Sequence, residues 1–169
     1  LLGTTYAGII HYEDRVAVNY LLSRKEVDSS RIGCIGLSGG GCRSGLLQAV
    51  CNNIKAAVVV GMMSSYAELL DHNVQSHTFM LFPAGWPRFG DWPDLVAARA
   101  PSPLLVQYDI DDTLFPLSGM KRADQCLQQH YSRAGSPTAY EGQFYQGPHK
   151  FDLEMQQNAF SWLKTQLGD

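Results

Sequence analysis

Residues 31–41 read RIGCIGLSGGG, a short apolar run followed by Ser38 among four glycines, Gly36, Gly39, Gly40 and Gly41. Glycine in regular structure costs about 0.5–1 kcal/mol relative to alanine, so a cluster of this kind marks a place where the backbone must bend or approach closely. The flanks say what kind of place. Arg31 to Leu37 has the length and composition of a short strand. Beyond the glycines, Leu46, Leu47, Ala49 and Val50 recur at helical spacing between Cys42 and Asn52, with Asn52-Asn53 as the stop. Ser38 is therefore expected on a turn from strand to helix.

Working outward, Tyr12 to Leu22 reads as a helix, with Val16, Ala17, Tyr20 and Leu21 on its apolar face. Ile54 to Val60 is β-branched and lacks polar alternation, as does the run around APSPLLVQY at 100–108. Strands of that type are buried on both faces, which points to a parallel sheet. DIDDTLFP (109–116) follows as a loop, then a helix over Leu117 to Gly135, a strand over Thr138 to Tyr145 and a closing helix over Phe151 to Leu167. Residues 61–102 read as irregular, with one helical piece at Tyr66 to Leu70. Strand and helix alternate, so the expected fold is a single α/β domain over residues 1–169 with a mostly parallel sheet and flanking helices.

Bulk properties narrow the function. The 169 residues are 45% hydrophobic and 17% charged, with a net charge of −3. A near-neutral, slightly acidic chain lacks the basic face that nucleic acid or an anionic membrane surface would select. No apolar run approaches the length of a membrane-spanning helix. The four cysteines, Cys34, Cys42, Cys51 and Cys126, show no CxxC spacing, so neither zinc nor a dithiol redox centre is expected, and Cys34 reads as a buried free thiol. The chain begins LLGTT, without Met, and is expected to be part of something longer.

Gly36-Leu37-Ser38-Gly39-Gly40 fits G-x-S-x-G, the pattern that lifts a serine above a parallel sheet at a strand end. A serine hydroxyl needs a histidine to take its proton and a carboxylate to hold that histidine. His149, in the Gly-Pro loop YQGPHKFD between the last strand and the last helix, is the best placed of the five histidines. His11 precedes the serine, His72 and His77 fall in the irregular segment, and His130 sits late in an amphipathic helix. Among Asp109, Asp111 and Asp112, the last has most room to reach back to His149, with Asp111 next. The helix after Ser38 would offer the Gly39 N–H to a developing oxyanion. No metal or organic cofactor is required by such a site. Residues 72–94 carry Phe79, Phe82, Trp86, Phe89 and Trp92, and are expected to form a cap or pocket wall, with Trp86 and Trp92 as candidate lining residues.

With these residues in place, the chain resembles an α/β-hydrolase of the acetyl xylan esterase and dienelactone hydrolase-like group. The resemblance rests on YLLSRKEVDSSRIG before GLSGGG, on DWPDLVAARAPSPLLV, on Asp112 to Pro116 and on GPHKFD, in that order along nearly the whole chain. It implies Ser38 as nucleophile, Asp112 as acid, His149 as base and hydrolysis of small-molecule carboxylic esters, with sugar acetyl esters as one class. It also implies strands and an oxyanion loop that this chain lacks, since only about thirty residues precede the elbow strand. The bare edge of the Arg31–Leu37 strand would then favour a homo-oligomer that buries it.

Two other readings compete. VQYDIDDTLF resembles the D-x-D-x-T-L motif of haloacid dehalogenase-like phosphatases, with Asp109 as phosphoryl acceptor, Asp111 as general acid and magnesium bound. No downstream acidic pair completes that motif. A truncated hydrolase fold could instead serve as a non-catalytic binding or assembly module.

Overall fold

A computed structural model describes residues 3–70, 73–78 and 80–168. Four strands, β1 (Ile32–Leu37), β2 (Ile54–Val60), β3 (Leu104–Asp109) and β4 (Tyr140–Tyr145), form one parallel sheet in the order β1-β2-β3-β4. The two central strands are buried along their length, apart from Lys55, while β1 and β4 are half-exposed edges. That distribution follows composition: the apolar, unalternating runs take the centre, where both faces are covered. The register pairs Leu37 with Val60, Val60 with Gln107 and Asp109 with Tyr145, so the loops that leave the four strands gather along one end of the sheet.

Helices α1 (Tyr6–Leu22), α2 (Gly39–Val50), α3 (Tyr66–Leu70), α4 (Trp92–Val96), α5 (Leu117–Arg133) and α6 (Leu153–Leu167) complete the chain. On one face, Met120, Ala123 and Leu127 of α5 join Ala57, Val59, Leu104 and Val106 in the larger core. On the other, Met155, Ala159 and Leu163 of α6 cover Ala56, Val58, Val60 and Leu105. α1 rests on α2 through Val18 and Leu47 and through the Asp14–Arg43 ion pair. Tyr6, Ile9, Tyr12, Val16 and Tyr20 of α1 stay exposed. No helix among the described residues is long and apolar enough to cross a membrane.

Element boundaries differ from the sequence expectations for local reasons. α1 begins six residues early because Thr5 caps it, accepting a hydrogen bond from Gly8 N–H at 3.1 Å. β3 begins only at Leu104, after Pro101 and Pro103, which have no N–H to give a ladder. The segment expected to be irregular is tied down: Asp91 and Asp94 form a capping box on α4. Trp92 and Tyr66 both donate to Leu81 O, at 2.9 and 2.8 Å.

Candidate active site

Ser38 follows β1 directly and is the N-cap of α2, with φ 56° and ψ −116°. Among the described residues it is the one non-glycine with positive φ. A residue with a side chain pays about 1–3 kcal/mol for such a conformation, which persists only where the surroundings enforce it. Here Ser38 N–H donates to Val60 O at 2.8 Å and Ser38 O accepts from Cys42 N–H at 2.9 Å, pinning the turn from both sides. Gly36 makes the turn possible, because a Cβ there would lie 2.2 Å from the Gly40 carbonyl carbon. The Ser38 side chain caps nothing, so its hydroxyl is left available at the strand end.

The acid and the histidine meet directly. Asp112 Oδ2 lies 2.6 Å from His149 Nδ1, and its Oδ1 accepts from Leu114 N–H at 2.8 Å. The Asp112 side chain is fully buried while the imidazole is about a quarter exposed. With Nδ1 facing a carboxylate, the ring presents Nε2 as its free nitrogen. Two further contacts hold the histidine loop against the acid loop: Asp111 Oδ2 accepts from Gly147 N–H at 2.8 Å, and Asp109 Oδ2 accepts from Lys150 N–H at 3.1 Å. Both aspartates of the competing phosphatase motif are thus engaged in positioning the loop that carries His149. His149 reaches the elbow across Gly61, where a Cβ would stand 3.0 Å from Leu37 and 3.2 Å from the imidazole. No hydrogen bond joins the Ser38 hydroxyl to His149 among the described residues, a contact that commonly tightens only with substrate in place.

A cavity of about 80 Å³ opens beside Ser38 and Gly39, walled by Cys42, Met62, His77, Met80, Leu81, Leu114 and Phe115 among others. Neither Trp86 nor Trp92 is in that wall. Trp92 is 1% exposed and packs in the larger core, and Trp86 packs against the same core from outside. Their role as lining residues is corrected accordingly: the indole N–H of Trp92 is taken by Leu81 O, which draws the ring under the wall rather than into it. Phe89 is 85% exposed, and His72 and Phe79 lie outside the described residues. The residue that sequence reasoning passed over is His77. Its Nε2 lies 3.0 Å from Leu114 O, its ring meets Phe115 at 4.7 Å, and burial holds its pKa below the ordinary value. Only contacts from distant parts of the chain place it there. Burial pushes the Cys42 thiol up to about 12, so it stays protonated beside Ser38.

Asp109 is a further carboxyl group at this end of the sheet. It is fully buried, and its Oδ1 accepts no hydrogen bond from the described residues. Burial pushes its carboxyl up to about 6, with the Asp112 carboxylate adding to the rise and Lys150 N–H opposing it. Between about pH 4 and pH 6 the folded chain therefore keeps a proton that the unfolded chain has lost, and stability falls as pH rises through that window. Asp109→Asn retains an oxygen for Lys150 N–H without a charge. The variant is expected to be more stable than wild type by about 3 kcal/mol at neutral pH, with the difference closing towards pH 4. Urea melts across that range check this, and a difference independent of pH would refute it.

No protein-family model matches the chain. YtaP of Bacillus subtilis (strain 168), described provisionally as a hydrolase, is 26% identical over 141 residues, which are 83% of this chain and 47% of that protein. A glucuronoyl esterase from Solibacter usitatus superposes with a TM-score of 0.76 at 16% identity, covering 97% of this chain and 50% of the other. A carbohydrate esterase family 15 glucuronoyl esterase from Caldicellulosiruptor kristjansonii gives 0.79 at 14%, covering 96% and 50%. The chain spans about half the length of these relatives. From the parallel sheet, the strained serine at the end of β1 and these superpositions, the chain has the α/β-hydrolase fold.

Proposed function

We propose that the chain is a serine carboxylesterase acting on short-chain esters, acetyl esters among them, through an acyl-enzyme on Ser38. The observation that carries this is the strained Ser38 at the same end of the sheet as the Asp112–His149 pair. His149 Nε2 takes the hydroxyl proton as Ser38 Oγ attacks the ester carbonyl. The imidazolium then gives that proton to the departing alcohol, and a water activated by the same nitrogen releases the acid. Asp112 holds the ring in the tautomer that leaves Nε2 free. The Gly39 N–H, at the start of α2, faces the developing oxyanion with the positive end of the helix behind it. The small cleft of about 80 Å³ beside Ser38, walled mainly by apolar side chains, favours a short acyl group. The esterase names of the neighbours support ester hydrolysis as the reaction, without bearing on acyl length.

Hydrolysis of p-nitrophenyl acetate and butyrate by the wild-type chain and by Ser38→Ala tests the reading. Turnover is expected in the wild type, faster for acetate, and only the buffer rate in the variant. Equal rates in the two chains, or none above buffer in either, would leave the elbow as architecture without chemistry.

A further inference from the structure

Away from the candidate active site, Asp94 of α4 meets Cys126 and His130 of α5. His130 Nε2 lies 2.7 Å and Cys126 Sγ 3.6 Å from Asp94 Oδ1, and one ligand atom from each of the three residues falls within 4.8 Å of the others. Cys126 and His130 are four residues apart, so one turn of α5 presents both on the same face. Asp94 is held for the purpose by its own helix. Its Oδ2 accepts from Asp91 N–H at 2.8 Å in the capping box, which leaves Oδ1 turned towards α5. A carboxylate anchored through one oxygen and offering the other is the arrangement that supports metal ligation.

The three residues are partly exposed, and Asp94 and Cys126 line an open cavity of about 290 Å³ that also touches Asp91 and Arg122. We propose that Asp94, Cys126 and His130 bind a divalent ion of the zinc class, with a water from this cavity as fourth ligand, and that the ion fastens α4 to α5. The donor set decides the class. One sulfur, one imidazole nitrogen and one carboxylate oxygen suit zinc, whereas magnesium and calcium want oxygen alone. Zinc holds such ligands at about 2.0–2.3 Å, so tetrahedral donors stand roughly 3.3–3.8 Å apart, and Asp94 Oδ1 lies 2.7 Å from His130 Nε2 and 3.6 Å from Cys126 Sγ. The ion takes Cys126 as thiolate, and the thiol proton passes to solvent.

The site bears on the cavity beside Ser38 without being part of it. α4 begins at Trp92, whose indole holds Leu81 O, and Leu81 is in the cavity wall. An ion tying α4 to α5 would steady that wall from behind. The proposal does not depend on the esterase reading.

The full chain, stripped with a chelator, is titrated with Zn²⁺ by calorimetry and with Co²⁺ by absorbance. One equivalent is expected. Co²⁺ should give the intense visible bands of four-coordination and a near-ultraviolet thiolate-to-cobalt band. Cys126→Ser should remove the thiolate band, and both it and His130→Ala should weaken binding by about tenfold or more, with circular dichroism showing both variants folded. A wild-type chain that takes up no Zn²⁺ at micromolar concentrations overturns the proposal. So does binding equally tight in both variants, or binding lost instead in Asp112→Asn, which would move the ion to Asp109, Asp112 and His149.

Discussion

Asp112→Asn is expected to slow p-nitrophenyl acetate hydrolysis by about 10⁴-fold with little loss of fold. Its two oxygens have different partners. Oδ1 accepts from Leu114 N–H, a donor that cannot be turned away because it belongs to the backbone, and Oδ2 faces His149 Nδ1. An asparagine placed here must give its oxygen to Leu114 N–H and its NH₂ to His149. That forces Nδ1 to accept and moves the imidazole proton to Nε2, the nitrogen that takes the Ser38 proton in the proposed reaction. The variant therefore keeps its shape and loses its base. The kcat of the two chains, with thermal melts to confirm folding, reads this out. A loss smaller than about tenfold would mean that Asp112 does not set the tautomer of the catalytic base, and the neighbouring Asp109 would become the candidate.

The second large effect is on stability, and it separates two glycines that the G-x-S-x-G pattern treats alike. Gly36→Ala places a Cβ 2.2 Å from the carbonyl carbon and 2.3 Å from the carbonyl oxygen of Gly40. Both atoms are backbone at the start of α2, so relief requires the helix to move away from β1. A loss of about 3 kcal/mol or more is expected, a large share of a typical domain's stability. At Gly40 a Cβ would meet nothing within 4 Å. Since Gly40 is in the first turn of α2, Gly40→Ala is expected to be neutral or to gain about 0.3 kcal/mol. Urea denaturation of the three chains checks the pair, and a Gly36→Ala chain as stable as wild type would contradict the packing at the elbow. Tight contact recurs at Gly41, outside the pattern, where a Cβ would lie 2.8 Å from Val60 O.

Much of this protein was legible before any coordinates. The strand at Ile54–Val60, the helix after the glycines, the loop after β3 and the closing helix all follow from periodicity and turn chemistry, which act over a few neighbouring residues. The positions of Ser38, Asp112 and His149 just after β1, β3 and β4 were readable for the same reason, since each stands in a local pattern beyond a recognisable strand. Boundaries were less so. Thr5 adds a turn and a half to α1 through one side-chain hydrogen bond, and two prolines delay β3, effects that an apolar count does not weigh.

What the sequence alone could not say concerns partners that are distant along the chain. Trp92 is a pocket aromatic by sequence, but its indole holds Leu81 O, and His77, which the sequence places only in an irregular segment, is enclosed by Leu114 and Phe115. The sequence places His130 late in an amphipathic helix, and its neighbour there is Asp94, thirty-six positions earlier. The sequence by itself determined the elements, their alternation and the strand ends at which reactive groups would stand. Only the tertiary structure decided which side chains share a cavity, which glycines are sterically required and which donors meet, because those depend on strand register and helix packing rather than on local propensity.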